Sequence, residues 1–168
     1  MSPSPYFTIP FLLLVAIFQA TAAPQIRIAG GALNLLLLCV MSWEQIEARG
    51  EGYVWAFIGG LFLDLIGGGP FGASILGLLA ATFVASLLGG GLFRDRLLLP
   101  LVTAVAGTFA YNGVYLVLLR IFGVPVNLVD ALVQVILPSA LINLLASPIV
   151  ARLMLALHRR VKPLGATW

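Results

Sequence analysis

Long apolar runs, broken by short stretches of charge, glycine or proline, organise this chain. Six such runs predict six helices, over about 5–22, 27–43, 52–66, 70–90, 98–122 and 128–147. Pro3 and Pro5 suit the entry to the first, and Pro24 stops it. Ala16 and Ala20 are four apart, a small pair that lets another helix come close. In the second run Gly30 and Asn34 share one face, and an asparagine in lipid must find a polar partner. In the third, Ala56, Gly60 and Asp64 recur every four residues and so form one narrow face. Glycine is the default just past a helix end and proline just inside a helix start. Gly67, Gly68 and Gly69 therefore predict a tight turn, with Pro70 opening the fourth helix. That helix carries an unbroken ridge of small residues four apart: Ala73, Gly77, Ala81, Ala85 and Gly89. Such a ridge allows close backbone approach where lipid supplies no hydrophobic drive between helices.

The fifth run has Pro100 in its first turn, where proline is tolerated, and Thr108, Tyr111, Asn112 and Tyr115 at its centre. The sixth begins with Asn127 as N-cap and Asp130 in the first turn, favourable to the dipole. Ser139, Asn143, Ser147 and Ala151 form its small polar stripe. Pro138 is expected to kink this helix and Pro148 to end it. Residues 149–161 alternate Leu153, Met154 and Leu157 with Arg152, His158, Arg159 and Arg160. They read as an amphipathic helix lying in the interface with its basic side out.

Composition sharpens the picture. Of 168 residues, 61% are hydrophobic and 9% charged, against about 45–50% and about 25% in soluble domains. The fold class is all-α: a polytopic membrane protein, one six-helix domain over residues 1–168. The opening residues lack the positive region of a cleaved signal peptide, so the first helix is expected to be retained. Six spans put both ends on one side. That side collects Arg49, Arg94, Arg96, Arg152, Arg159, Arg160 and Lys162, seven of the nine basic residues, leaving Arg27 and Arg120 opposite. The positive-inside rule then makes both termini cytoplasmic and turns Gly67–Pro70 outward. Trp43, Tyr53 and Trp55 bracket the charged loop of Glu44, Glu47, Arg49 and Glu51, as aromatic belts do at an interface.

Recognisable catalytic sets are missing from the sequence. The one histidine, His158, lies in the basic tail, which leaves no zinc-protease motif. Asp64 is the one acid well inside a predicted span, so no aspartyl pair forms. The glycine-rich stretches lack the Lys-Ser or Lys-Thr of a phosphate loop. The single cysteine, Cys39, allows no intrachain disulfide. No enzyme activity, cofactor, metal or nucleic-acid partner is expected. Asp64 itself supports two readings. An intramembrane acid is a candidate for a proton or ion path or for a partner contact. Alternatively, its carboxylate staples the hairpin by accepting the free N–H groups of Phe71, Gly72 and Ala73 at the start of the fourth helix.

The stretch Gly59 to Leu88, with Gly60, the triplet Leu63-Asp64-Leu65, the Gly69-x-x-Gly72 spacing around Pro70 and the Ala/Gly helix beyond, resembles the MreD family of bacterial rod shape-determining proteins. Chain length, span count and the basic C-terminus agree with that resemblance. It implies a non-catalytic subunit of the cell-elongation machinery in the bacterial cytoplasmic membrane. Such a subunit binds MreC, a single-span protein, and through it connects to the cell-wall polymerase and transpeptidase and to MreB filaments, with membrane lipids around it. The six-helix arrangement also resembles the substrate-binding subunits of energy-coupling-factor vitamin transporters, where Ala16 and Ala20 would meet the coupling partner. The short first outward loop and the few polar groups of the outer half argue against that alternative.

Overall fold

The computed structural model describes residues 5–21, 25, 27–28, 30–47, 50–89 and 98–161. Six helices make up the bundle: α1 (Pro5–Thr21), α2 (Leu35–Glu47), α3 (Glu51–Gly67), α4 (Ala73–Gly89), α5 (Leu98–Ile121) and α6 (Leu128–Val161). Between α1 and α2 lies a small antiparallel hairpin, β1 (Arg27–Ile28) and β2 (Gly31–Ala32), with Arg27 opposite Ala32 and Ile28 opposite Gly31.

The shortest helix is the centre. Every residue of α2 from Leu36 to Glu44 is buried, and α2 touches all five other helices. Around it run α1 beside α3, α3 beside α4, α4 beside α5, and α5 beside α6. The core is apolar near α1, α3 and α4, with Leu12, Leu36, Val40, Leu78 and Ala81 fully enclosed. Polar groups are buried too: Thr82, Thr103, Thr108, Asn143 and Ser147. Meanwhile Leu14, Phe57, Leu65, Phe83, Leu87, Val117, Leu145 and Ile149 are exposed. An outside this apolar suits lipid and would be an association hazard in water. By length and composition α5 and α6 are each able to cross a bilayer; Thr8–Thr21 of α1 and α4 are apolar but shorter.

Three expected boundaries move, each for a local reason. The second helix starts at Leu35, not near Arg27, because Arg27–Ile28 and Gly31–Ala32 pair as the hairpin. Gly30 turns it with φ +86, a conformation that costs residues with a Cβ about 1–2 kcal/mol. Asn34 then caps α2, its side-chain oxygen accepting the Leu37 N–H at 3.1 Å. It does not share a helix face with Gly30. The fourth helix starts at Ala73, not Pro70, because Pro70–Ala73 is a turn closed by the Ala73 N–H on the Pro70 carbonyl at 3.1 Å. The sixth helix does not end at Pro148, and residues 149–161 are not a separate interfacial helix: α6 runs on to Val161. Proline leaves the carbonyl four residues back, that of Leu144, without a donor. The Ser147 hydroxyl fills the gap, donating to Leu144 O at 2.8 Å. At the other proline the helix re-registers. Residues Leu132–Ile136 form a π-turn, with the Leu137 N–H on the Leu132 carbonyl, one residue before Pro138. A π-turn is one of the ways a helix absorbs such a break.

Trp43 and Trp55 do not form an interfacial belt. They stack on one another inside the bundle, ring centres 4.2 Å apart and 12° from parallel. Around them Glu44 accepts the Gly52 N–H at 2.9 Å, the Trp43 indole N–H donates to Glu51 at 3.2 Å, and His158 pairs with Glu47. These contacts tie the α2–α3 connection to the last turns of α6.

Candidate functional site

Asp64 stands one turn before the end of α3 and is 7% exposed. Behind it the chain leaves the helix through Gly68, in the left-handed conformation with φ +67. It then makes the Pro70–Ala73 turn with Gly72 at φ +94. A positive φ at the third residue is what a type II turn requires, and glycine supplies it without steric cost. Gly72 thus occupies the N-cap position of α4 and has no side chain to cap with.

The first N–H groups of a helix have no partner within it, and a side-chain oxygen just before the helix usually takes them. Here Asp64 does so from the neighbouring helix. Its Oδ2 accepts the Gly72 N–H at 2.8 Å and the Ile75 N–H at 3.4 Å, while Oδ1 accepts the Ser74 N–H at 3.0 Å. Of the three donors expected, Gly72 takes part; Ser74 and Ile75 stand where Phe71 and Ala73 were expected. Negative charge at a helix N-terminus also meets the positive end of the dipole.

The reach depends on Gly60. A methyl group there would lie 2.6 Å from the Ile75 Cα and 2.8 Å from its nitrogen. Only a hydrogen at position 60 lets the first turn of α4 lie this close to α3. Gly69 lies over α5, where a methyl would come within 2.6 Å of the Tyr115 hydroxyl, a side-chain tip and not backbone. Pro70 is half-buried at the first position of the turn. Along the ridge, Ala73, Gly77, Ala81 and Ala85 are buried and Gly89 is exposed. A methyl at Gly77 would lie 2.8 Å from the Tyr111 ring and 3.2 Å from its carbonyl oxygen, so the ridge is where α5 closes on α4.

A second set of polar groups surrounds the β-hairpin; sequence reasoning named Asn34, Thr108, Ser139 and Asn143 but missed Gln19 and the hairpin that these groups serve. Gln19 on α1 brackets the entry to α2: its amide nitrogen donates to the Leu33 carbonyl at 2.8 Å, and its oxygen accepts the Leu35 N–H at 2.7 Å. From α6, Ser139 accepts the Ala32 N–H at 3.1 Å and Asn143 accepts the Asn34 N–H at 2.9 Å. The Asn143 amide also donates to Thr108 on α5 at 2.9 Å. Ser139 and Asn143 of the small polar stripe therefore serve the backbone of the second hairpin strand and of the entry to α2. Non-helical backbone at membrane depth persists only where the protein itself satisfies it.

Between this network and the Asp64 cap lies a cavity of about 290 Å³, with Gln19, Asn34, Ser74, Tyr111, Asn112 and Tyr115 among its lining. The Tyr111 and Tyr115 rings stack 6.1 Å apart at its wall. Asn112 donates to the Thr108 carbonyl at 2.8 Å. Among the described residues no group of three or more histidine, cysteine or acidic side chains could hold a metal ion.

No curated protein and no solved structure matches the chain. The family model described as rod shape-determining protein MreD matches residues 3–161 of it. That span holds the capped turn, the small-residue ridge, the hairpin network and all six helices, and the chain accordingly belongs to the MreD family of rod shape-determining membrane proteins.

Proposed function

We propose that this protein is a non-catalytic scaffold or regulatory subunit of the bacterial cell-elongation complex, acting in the cytoplasmic membrane by binding a single-span protein of the MreC type. Through that partner it would reach the cell-wall polymerase and transpeptidase and MreB filaments. The family match over residues 3–161 carries this reading. The architecture supports it: buried polar groups serve backbone and helix ends, and the small-residue ridge serves packing. Co-purification tests it. The protein should capture an MreC-type partner from detergent extracts in stoichiometric amount, and failure to capture it under conditions that preserve the bundle would overturn the reading.

The same proposal includes six spans with both termini cytoplasmic, supported by the distribution of basic residues. Topology reporters fused after Trp168 and inserted within Gly67–Gly69 should then report opposite sides. The same side for both would contradict the arrangement.

A second reading, a substrate-binding subunit of an energy-coupling-factor vitamin transporter, is favoured by one observation, the polar cavity of about 290 Å³. Its volume lies at the lower edge of the roughly 300–1,000 Å³ of ligand pockets. Because α2 begins at Leu35, the connection after α1 is also longer than the sequence pattern implied. Saturable binding of a radiolabelled vitamin to the purified protein, with no capture of the single-span partner, would decide for this second reading.

A further inference from the structure

At the opposite end of the bundle a crevice of about 430 Å³ opens between α2, α5 and α6. Its walls are Ile46 of α2, Leu99 and Pro100 in the first turn of α5, and Ala151 and Leu155 of α6; Ser42 and Gln45 supply hydroxyl and amide groups, and Arg159 stands at its edge. Arg152 is exposed two turns back along α6, at i−7 from Arg159 and therefore on nearly the same stripe. Among the described residues neither arginine has a carboxylate within ion-pair reach. The ion pair there, His158 with Glu47, lies on the adjacent stripe that grips α2. Arg152 sits among the exposed Ile149, Leu153 and Leu155, a setting in which an uncompensated charge is costly and arginine snorkels toward the membrane edge.

Arg159 therefore stands at the edge of a crevice whose walls are mainly apolar, with Arg152 seven residues back on nearly the same stripe, and among the described residues neither is in an ion pair. We propose that this crevice is a binding site for one anionic phospholipid, its phosphate held by Arg159 and Arg152 with help from Ser42, and an acyl chain lying along Leu99 and Leu155. The charge selects an anionic headgroup over a zwitterionic one, and the apolar walls select a lipid over a soluble phosphate. Basic pockets between membrane helices select such headgroups by this chemistry. The site does not depend on which side of the membrane this end faces.

Native mass spectrometry of the full-length protein in mild detergent, with equal amounts of phosphatidylglycerol and phosphatidylethanolamine added, tests the proposal. One phosphatidylglycerol should be retained about tenfold over phosphatidylethanolamine. The double variant Arg152→Gln/Arg159→Gln should lose that preference. Leu155→Trp, at a position with room outside the core, keeps both charges but fills the crevice and should lose the bound lipid. Arg160→Gln, one residue round the helix, should keep it. Millimolar inorganic phosphate should leave the lipid in place. Melting curves establish that each variant is folded. Equal retention of the two lipids by the wild type would overturn the proposal. So would a preference that survives Leu155→Trp, which would mean diffuse surface charge, or displacement by inorganic phosphate.

Discussion

Replacing Asp64 by leucine should lower the melting temperature of the isolated protein more than any other single change at the turn. The carboxylate satisfies three N–H groups at the start of α4, at 2.8, 3.0 and 3.4 Å. Leucine fills the space and accepts none of them. A buried donor left without a partner costs about 1–3 kcal/mol. The sum is about 3 kcal/mol or more, a fall on the order of 10 °C for a chain of this size. Asp64→Asn should fall between. Its one oxygen can keep Gly72 and Ile75 or keep Ser74, and its amide nitrogen then faces the remaining N–H, donor against donor. Melting curves of the purified variants give the order wild type, Asn, Leu. If Leu melts with the wild type while both variants lose partner capture, the acid serves a partner and not the turn. If Asn and Leu leave both melting and capture intact and abolish an ion or proton flux, the acid serves transport.

The second large effect is expected at Gly60, from a single methyl group. In Gly60→Ala the new Cβ meets the Ile75 backbone at 2.6 and 2.8 Å. Backbone in the first turn of a helix cannot step aside as a side-chain tip can, so α3 and α4 must separate. Overpacking of this kind costs about 1–3 kcal/mol. The separation also lengthens the Asp64 bond to the Ile75 N–H, already the longest of the three. The two sites therefore act on one contact, and neighbouring changes that share a contact do not add. Gly60→Ala combined with Asp64→Asn should destabilise by less than the sum of the two alone. Strict additivity in the melting data would mean that Gly60 sets packing without setting the cap.

The α3–α4 turn was legible in the sequence because its signals are local. Glycine and proline punctuate the chain within a few residues, and Gly60 and Asp64 share a face by simple spacing. The donors were displaced by one or two residues, since only φ at Gly72 shows that the helix starts after the turn and not at Pro70. The ridge was legible for the same reason as the face. The hairpin of β1 and β2 was not. Its residues continue the apolar pattern of α2, and what satisfies the backbone of its second strand and of the entry to α2 comes from Gln19, Ser139 and Asn143, up to 109 residues away in sequence. Pro148 misled because the rescue of the Leu144 carbonyl by Ser147 is a side-chain choice that no periodicity reveals. Trp43 and Trp55 suit a membrane interface and a buried stack equally well, and only the three-dimensional arrangement separates the two.

Capping of α4 by a carboxylate from α3 is what makes this turn a rigid corner of the bundle, and amide hydrogen exchange reads it most directly. In the wild type the Gly72, Ser74 and Ile75 amides should be protected although they lie before or within the first turn of a helix, where amides are ordinarily open. In Asp64→Leu those three should exchange faster by orders of magnitude, while amides in the middle of α4 keep their protection. Fast exchange at all three positions in the wild type, or no change on removal of the carboxylate, would contradict the account.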